Sequence, residues 1–432
     1  MRIRCQDWNP EKRSDERDLR MTHTPEPASL VLTNALLIDG TGGPAIDNAT
    51  IVIADGRIVS AGPESTPPTG AEILDLRGLT VLPGLIDAHV HLGGLGLGAT
   101  PPFGGRTATD DYADARASAL RFGVTTQRSL GDFLHDALWL RDETARGALI
   151  GPRILTSGPS FQVEGGHPNG TVWGGDRCAA TEAARMPTTP EQATRSVDEL
   201  ATAGVDLIKI IISNNAFFGR PPDPELKMPW HITEAVIEAA HRHGLRVAAH
   251  VENLYDCRQA VLRGVDDIEH LLMRAHEPQD ADAFDELFEL MVQQGTYLVP
   301  TLAAHQHSST PETDARTLEY GNRLIGRAFE LGVTLGVGSD AHSAGLHGWK
   351  LLHELVMLVH GQRIPALAAL SAATKTNAEL LGIGERLGTV EPGKIADLLV
   401  VDGNPLTDIT TIQATHYVIQ DGAVVIDHSR TN

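Results

Sequence analysis

Between residues 79 and 339 the chain repeats one phrase: a short apolar run, then a segment with helical period. The runs cover 79–91, 124–130, 153–157, 206–212, 246–251, 267–271, 297–302 and 334–339. Between them lie segments such as TTPEQATRSVDELATAG, where Thr189 and Pro190 serve as cap and first turn. Another is HITEAVIEAAHRHG, which stops at Gly244. Eight strands alternating with helices predict an α/β fold, a (β/α)8 TIM barrel rather than an open sheet. Two connections are long. Segment 93–110 is rich in Gly, Pro and Thr, and 158–190 contains EGGHPNGTVWGGD. Both follow the C-terminal end of a barrel strand, the face where such barrels place their sites, so both are expected to shape a substrate pocket.

The flanks read differently. SLVLTNALLID, ATIVIADGRIVSAG and EILDLRG precede the repeat, and GTVEPGKIADLLVVDGNPL and HYVIQDGAVVID follow it. Alternating apolar residues broken by Asp-Gly and Gly-Gly are antiparallel hairpin chemistry. Neither flank alone has enough strands for stable pairing. The two are expected to build one small discontinuous β-sandwich from residues 29–82 and 385–432, beside a barrel over 83–384. Residues 1–28, dense in both charge signs, are expected to be a disordered extension without a secretory h-region.

The balance of 35 basic against 56 acidic residues, a net charge of −21, argues against nucleic acid or an anionic membrane as partner. No run approaches the roughly 18 apolar residues of a membrane span. Three cysteines, Cys5, Cys178 and Cys257, make no framework and fit a reducing cytoplasm. A homo-oligomer is expected.

The apolar runs carry polar residues of ligand or acid/base type near their ends. The first run, LTVLPGLIDAHVHL, has His89 and His91 two apart, so both imidazoles leave a strand on one side. Asp87 shares their face but lies deeper and is read as structural. The fourth run, DLIKIII, holds Lys209. The fifth, RVAAHV, holds His250, the sixth, DDIEHLL, holds His270, and the eighth, TLGVGSD, ends at Asp340. A barrel brings such ends together over one mouth. Lys209 stands among Ile208, Ile210, Ile211 and Ile212, where a cation is costly to bury. One solution is a buried Lys–Asp pair, or a lysine that reaches the barrel end. The other is chemical: a desolvated lysine has a lowered pKa and acts as a nucleophile, forming a Schiff base or taking up carbon dioxide as a carbamate.

PGLIDAHVH, the strand lysine, the two later strand histidines and GSDAH together resemble the amidohydrolase superfamily. The similarity extends to the flanks and covers about residues 29–427. GVTTQRSLGD, GPRILTSGP and the GGH of EGGHPNG resemble the branch of imidazolonepropionase-like enzymes and Xaa-Pro dipeptidases. The resemblance implies a binuclear site. His89 and His91 would bind an inner metal with Asp340, and His250 and His270 an outer one. A CO2-derived carbamate on Lys209 and a hydroxide would bridge the two. Zinc is the default by ligand type, with manganese or cobalt as alternatives. Asp340 would act as general base and then general acid, His167 would help polarise the substrate carbonyl, and His342 would hydrogen-bond the base or the substrate.

Dipeptidases of this branch carry a tyrosine before the helix preceding strand five. Here that stretch reads ELKMPWHITEA. Met228 and Trp230, with Phe103, Phe161, Trp173, Phe217, Phe218 and His347, are the expected pocket walls. Arg128 and Arg220 are the expected carboxylate partners, because guanidinium pairs bidentately with carboxylate. This set suits a small-molecule amide: an N-acyl amino acid, a dipeptide, or an apolar or aromatic xenobiotic amide or carbamate. A cyclic amide, imidazolone or lactone is the alternative within the enzyme class. A catalytically silent barrel acting as a binding module is the alternative outside it.

Overall fold

The computed structural model describes residues 29–63, 65–92, 108–172, 182–213, 223–271, 282–305, 311–342 and 344–429. The extension over 1–28 lies outside the described residues, as do Phe103, Trp173, Phe217, Phe218 and Arg220.

In chain order the elements are β1 (Ser29–Leu37), β2 (Ile46–Ala54), β3 (Arg57–Gly62), β4 (Glu72–Asp75), β5 (Leu79–Pro83), β6 (Leu85–Val90), α1 (Ala108–Arg121), β7 (Val124–Ser129), α2 (Leu134–Ala145) and β8 (Arg153–Thr156). Next come β9 (Ser160–Phe161), β10 (Ala184–Arg185), α3 (Pro190–Ala203), β11 (Leu207–Ile212), α4 (Trp230–Arg242), β12 (Arg246–Val251), α5 (Leu254–Leu262), β13 (Asp267–Glu269), α6 (Asp282–Gln294) and β14 (Tyr297–Val299). The chain continues with α7 (Pro311–Glu330), α8 (Trp349–His360), α9 (Ala366–Ser371), α10 (Asn377–Leu380), β15 (Leu398–Asp402), β16 (Thr415–Gln420) and β17 (Ala423–Asp427). The cap read from sequence at Thr189 forms as expected. The Thr189 side chain accepts from Gln192 N, and Gly204 closes α3 at φ +87.

Strands from both flanks form a single eight-stranded sheet in the order β17-β16-β15-β5-β1-β2-β3, with β4 paired to β1. Its two-residue turns are Asp55-Gly56 and Asp421-Gly422, all four residues at positive φ, which matches the right-handed twist of the strands they join. Leu32, Ile51, Val81, Leu398 and Val400 belong to an apolar cluster of this sheet's own.

The first apolar run of the repeat, expected as one strand, is two. Gly84 separates β5, which pairs antiparallel with β15, from β6, which pairs parallel with β7. A Cβ at Gly84 would lie 2.3 Å from Thr125 Oγ1, so the change of sheet happens where no side chain fits.

The parallel strands fall in two sheets, β6-β7-β8 and β10-β9-β11-β12-β13-β14, rather than the one ring expected. Segment 334–341 is extended chain between them. Leu298 N donates to Thr334 O, Gly336 N to Leu298 O, Ala88 N to Val337 O, and Asp340 N to His89 O. Only isolated bridges, at Leu335 and Ala341, replace the strand expected over 334–339. The physical reason is a side chain in the ladder: Asn377 donates to Ile86 O and Val337 O and accepts from Val337 N. On the other side Asp206 N donates to Thr156 O. The long connection 158–190 is not structureless, because Ser160 in β9 pairs in parallel with Ala184 in β10.

On β11, Ile208, Ile210 and Ile212 join the large apolar cluster that includes Val197, Leu200, Val236 and Ile237 of α3 and α4. The alternate residue Lys209 leaves from the opposite face. No helix among the described residues is long and apolar enough to cross a membrane.

Candidate metal centre

Extended backbone delivers His89 and His91 from the end of β6, and Asp340 arrives on the segment beside it. His89, His91 and Asp340 each present one ligand atom, and the three atoms lie within 4.8 Å of one another. His91 Nε2 is 3.1 Å from Asp340 Oδ1, and His89 Nε2 is 3.5 Å from the same oxygen. Gly338 makes this approach possible, since a Cβ there would meet His89 Cβ at 2.6 Å.

The histidines form a file. Ring centroids of His91 and His89 are 5.3 Å apart, His89 and His270 4.8 Å, His270 and His250 4.6 Å, and His250 and His167 5.1 Å. The structure therefore brings together all four strand-end histidines and the loop histidine named from sequence. Their far nitrogens are tethered. His89 Nδ1 lies 2.5 Å from Glu269 Oε2, His270 Nδ1 2.7 Å from Thr301 Oγ1, His250 Nε2 3.1 Å from Glu252 Oε1, and His167 Nδ1 2.7 Å from Thr171 Oγ1. Backbone strain accompanies these positions: His270, Thr301 and Asp340 have φ of 75, 49 and 50.

Burial sets the electrostatics. It holds the His89, His167 and His270 imidazoles well below their usual range, so these rings stay neutral, with Lys209 adding to the effect at His89. Burial pushes the Asp340 carboxyl up, but the hydrogen bond from His91 and the polar imidazoles around it outweigh this and leave Asp340 well below the usual carboxylate range. Lys209 is 1% exposed, and burial pushes it down to about 8 against the pull of Glu269 and Asp267. Its Nζ has no hydrogen-bond partner among the described residues, and neither has His89 Nε2. Buried polar atoms are rarely left so.

A divalent cation fits this donor set. The His89 ring, tethered through Nδ1, turns the lone pair of Nε2 toward an Asp340 oxygen that also accepts. Two acceptors facing each other are stable when a cation lies between them.

Other residues named from sequence separate into three groups. His342 Nδ1 donates to Asp340 O at 3.1 Å, so its bond is to the main chain of Asp340 and not to the carboxylate. His347, buried, has Nδ1 3.1 Å from Gln127 Nε2, and burial pushes its imidazole down to about 3. Asp87 is structural as expected: it accepts from Ser339 N and Oγ and from His89 N. The expected pocket walls are corrected at two positions, because Phe161 and Met228 are sealed into the main apolar cluster. Trp230 packs half-buried under Arg263, whose guanidinium is 4.5 Å from the ring centroid. The expected carboxylate partner Arg128 is also corrected. Its guanidinium is 2% exposed and already bonded to Asp267, Glu269 and Ala88 O, so its carboxylate partners are the chain's own acids.

Glu269, Thr301, Glu252 and Asp267 were not singled out from sequence. Glu269 stood in plain view in DDIEHLL, but strand alternation assigns it the face opposite His270. The positive φ of His270 overturns that alternation and lets consecutive residues both reach His89.

Comparison with known proteins places the chain in a family. The model of the family described as Amidohydrolase family matches residues 80–425. The imidazolonepropionase of Geobacillus thermodenitrificans is 25% identical over 430 residues, covering 89% of this chain and 92% of its own. The enamidase of Eubacterium barkeri is 25% identical, covering 90% of this chain and 92% of its own. Among solved structures, a Xaa-Pro dipeptidase with methionine bound in its active site superposes with a TM-score of 0.75 at 28% identity, covering 92% of this chain and 99% of that one.

Proposed function

The chain belongs to the amidohydrolase family, and from that premise we propose that it is a binuclear metal-dependent hydrolase cleaving an amide C–N bond of a small molecule. The observation that carries this reading is the meeting of His89, His91 and Asp340 within 4.8 Å, next to a buried lysine whose Nζ is without a partner among the described residues. His89, His91 and Asp340 would hold an inner cation and His250 and His270 an outer one, with Lys209 between. Zinc suits nitrogen and oxygen donors without cysteine, with manganese or cobalt as alternatives. Bound there, divalent cations supply Lewis acidity and a water acidified toward neutral pH.

The chain's own residues do the rest. Lys209, pushed down to about 8, keeps a share of its amine unprotonated at neutral pH. Its nitrogen lone pair would attack carbon dioxide: the N–C bond forms as one C=O π pair moves onto oxygen, and the N–H proton passes to water, leaving a carbamate anion. Asp340, held ionised, accepts the proton of the attacking water and returns it to the departing nitrogen. His342 keeps the backbone of Asp340 in place. His167, fixed by Thr171 beside His250, is oriented to polarise the substrate carbonyl. The two parallel sheets are read as arcs of one (β/α)8 barrel over 83–384, and the sheet from both flanks as the accompanying small β-sandwich. The protein is read as a cytoplasmic homo-oligomer.

For the substrate, an N-acyl amino acid, a dipeptide, or an apolar or aromatic amide or carbamate is proposed. A cyclic amide or imidazolone is the second reading, favoured by the 25% identity to an imidazolonepropionase over 89% of this chain. The test is metal analysis of protein purified without chelator, followed by a hydrolysis screen of N-acyl amino acids, dipeptides, aryl carbamates, imidazolones and lactones. Two metals per chain and turnover of a linear amide are expected. Less than one metal per chain, with no substrate hydrolysed after reloading, overturns the reading.

A further inference from the structure

His89 differs from its neighbours in what holds it. The tether of His270 is a hydroxyl. The tether of His89 is a carboxylate that is itself clamped. Glu269 Oε1 accepts from Arg128 Nη2 at 2.6 Å, and the same guanidinium donates to Asp267 at 3.1 and 2.9 Å. Arg128 Nε donates to Ala88 O at 2.6 Å, the carbonyl just before His89. One guanidinium thus holds both the acid that orients the ring and the backbone from which the ring grows. Arg128 is 2% exposed and Asp267, Glu269 and His89 are 0% exposed, so water does not compete.

We propose that Glu269, clamped by Arg128, is the positioning residue of the inner site: it accepts the Nδ1 proton of His89 and so presents the Nε2 lone pair to the inner cation. A neutral imidazole carries one N–H, and a carboxylate only accepts, so a ring bonded through Nδ1 to Glu269 has its proton there. A purely structural Arg128–Glu269 pair needs nothing at Oε2, yet Oε2 lies 2.5 Å from His89 Nδ1. The positive φ at His270 is what lets Glu269 and His270 both face His89, so the strained backbone serves this contact.

The proposal rests on the metal reading above, and its test separates the two. Histidine labelled with 15N in the metal-free full chain reports the tautomer of His89, assigned by the signal lost in His89→Gln. A protonated Nδ1 is expected, and a protonated Nε2 overturns the proposal whatever any variant does. Glu269→Gln should then bind Zn2+ about 10–100-fold more weakly in chelator competition, the usual range for a residue that orients a metal-binding histidine. Arg128→Lys, which keeps the charge but loses the fork, should move affinity the same way by less. A folded Glu269→Gln with unchanged Zn2+ affinity also overturns the proposal. If the wild-type chain itself fails to bind Zn2+, the metal reading falls, while the tautomer still decides what Glu269 does to the ring.

Discussion

Arg128 and Arg153 each sit between two acidic side chains, at least one of them fully buried, and they do different work. Arg128 lies under the histidine file with Asp267 and Glu269. Arg153, on β8, reaches Asp397 before β15 and Asp421 in the turn after β16. Both pairs of acids share one guanidinium. The difference is in where the acids spend their remaining acceptor capacity. Asp397 accepts from the backbone N of Asp421, and its carbonyl accepts from Gly84 N, so the Arg153 cluster joins the flanking sheet to the parallel strands. Glu269 spends its second oxygen on an imidazole that faces Asp340. Burial of a charge therefore does not by itself mark a functional group. What marks it is a bond that ends on a ring able to bind a ligand.

Substitutions can break or sharpen this contrast. Arg128→Met should have the largest effect, because it strands two buried acids. A loss of about 3–5 kcal/mol in the denaturant stability of metal-free protein is expected, together with weakened Zn2+ binding. An unchanged denaturation midpoint would erase the distinction between the clusters. Asp340→Asn, at the far end of the same bonds, should leave folding intact and lower kcat by about a hundredfold or more, the scale of a lost general base. Near-normal turnover removes Asp340 from that role. Arg153→Met should cost about 2 kcal/mol of stability and leave kcat and metal content unchanged, since its bonds to charged groups end on the sheet. A matching fall in metal content would show that the sheet junction also supports the site.

The smallest expected effect is a pH dependence. Burial pushes the Asp397 carboxyl up to about 6 against the pull of Arg153. Between the ordinary aspartate range and about 6, the folded chain keeps a proton that the unfolded chain has lost. The Asp397 contribution to stability should therefore fall as pH rises through that window, by about 1 kcal/mol per pH unit at most, added to the same-sign contributions of buried Asp87, Asp267 and Glu354. Asp397→Asn should make the slope of denaturation stability from pH 4 to pH 6 shallower by that amount. A slope equal to that of the parent chain removes Asp397 from the effect.

The contrast also explains what could be read from the chain beforehand. Lys209 among isoleucines announced itself because a buried cation is expensive, and the pair His89 and His91 did so because alternation places both on one face. Arg128 was legible as a guanidinium seeking a carboxylate, yet its partners proved to be the chain's own Asp267 and Glu269, on another strand. Such a pairing depends on which strands meet, which no local pattern encodes. Glu269 was hidden by a backbone angle, and the missing strand near Leu335 by the Asn377 side chain that enters its ladder. Phe161 and Met228 showed the opposite limit, since an apolar side chain near a site looks the same in sequence whether it lines a pocket or a core.

The order of the flanking sheet sets a timetable. β5 pairs with β15 from Leu79 opposite Asp402 to Pro83 opposite Leu398, so a growing chain emerging from the ribosome makes the first strand long before its partner exists. At synthesis rates of about 5–20 residues per second, the intervening stretch of about 300 residues occupies the ribosome for tens of seconds. During that interval β1 to β5 present an unpaired edge, and the strands that carry the histidines acquire their neighbours first. The sheet that looks like the foundation of the molecule is thus the last part of it to be completed.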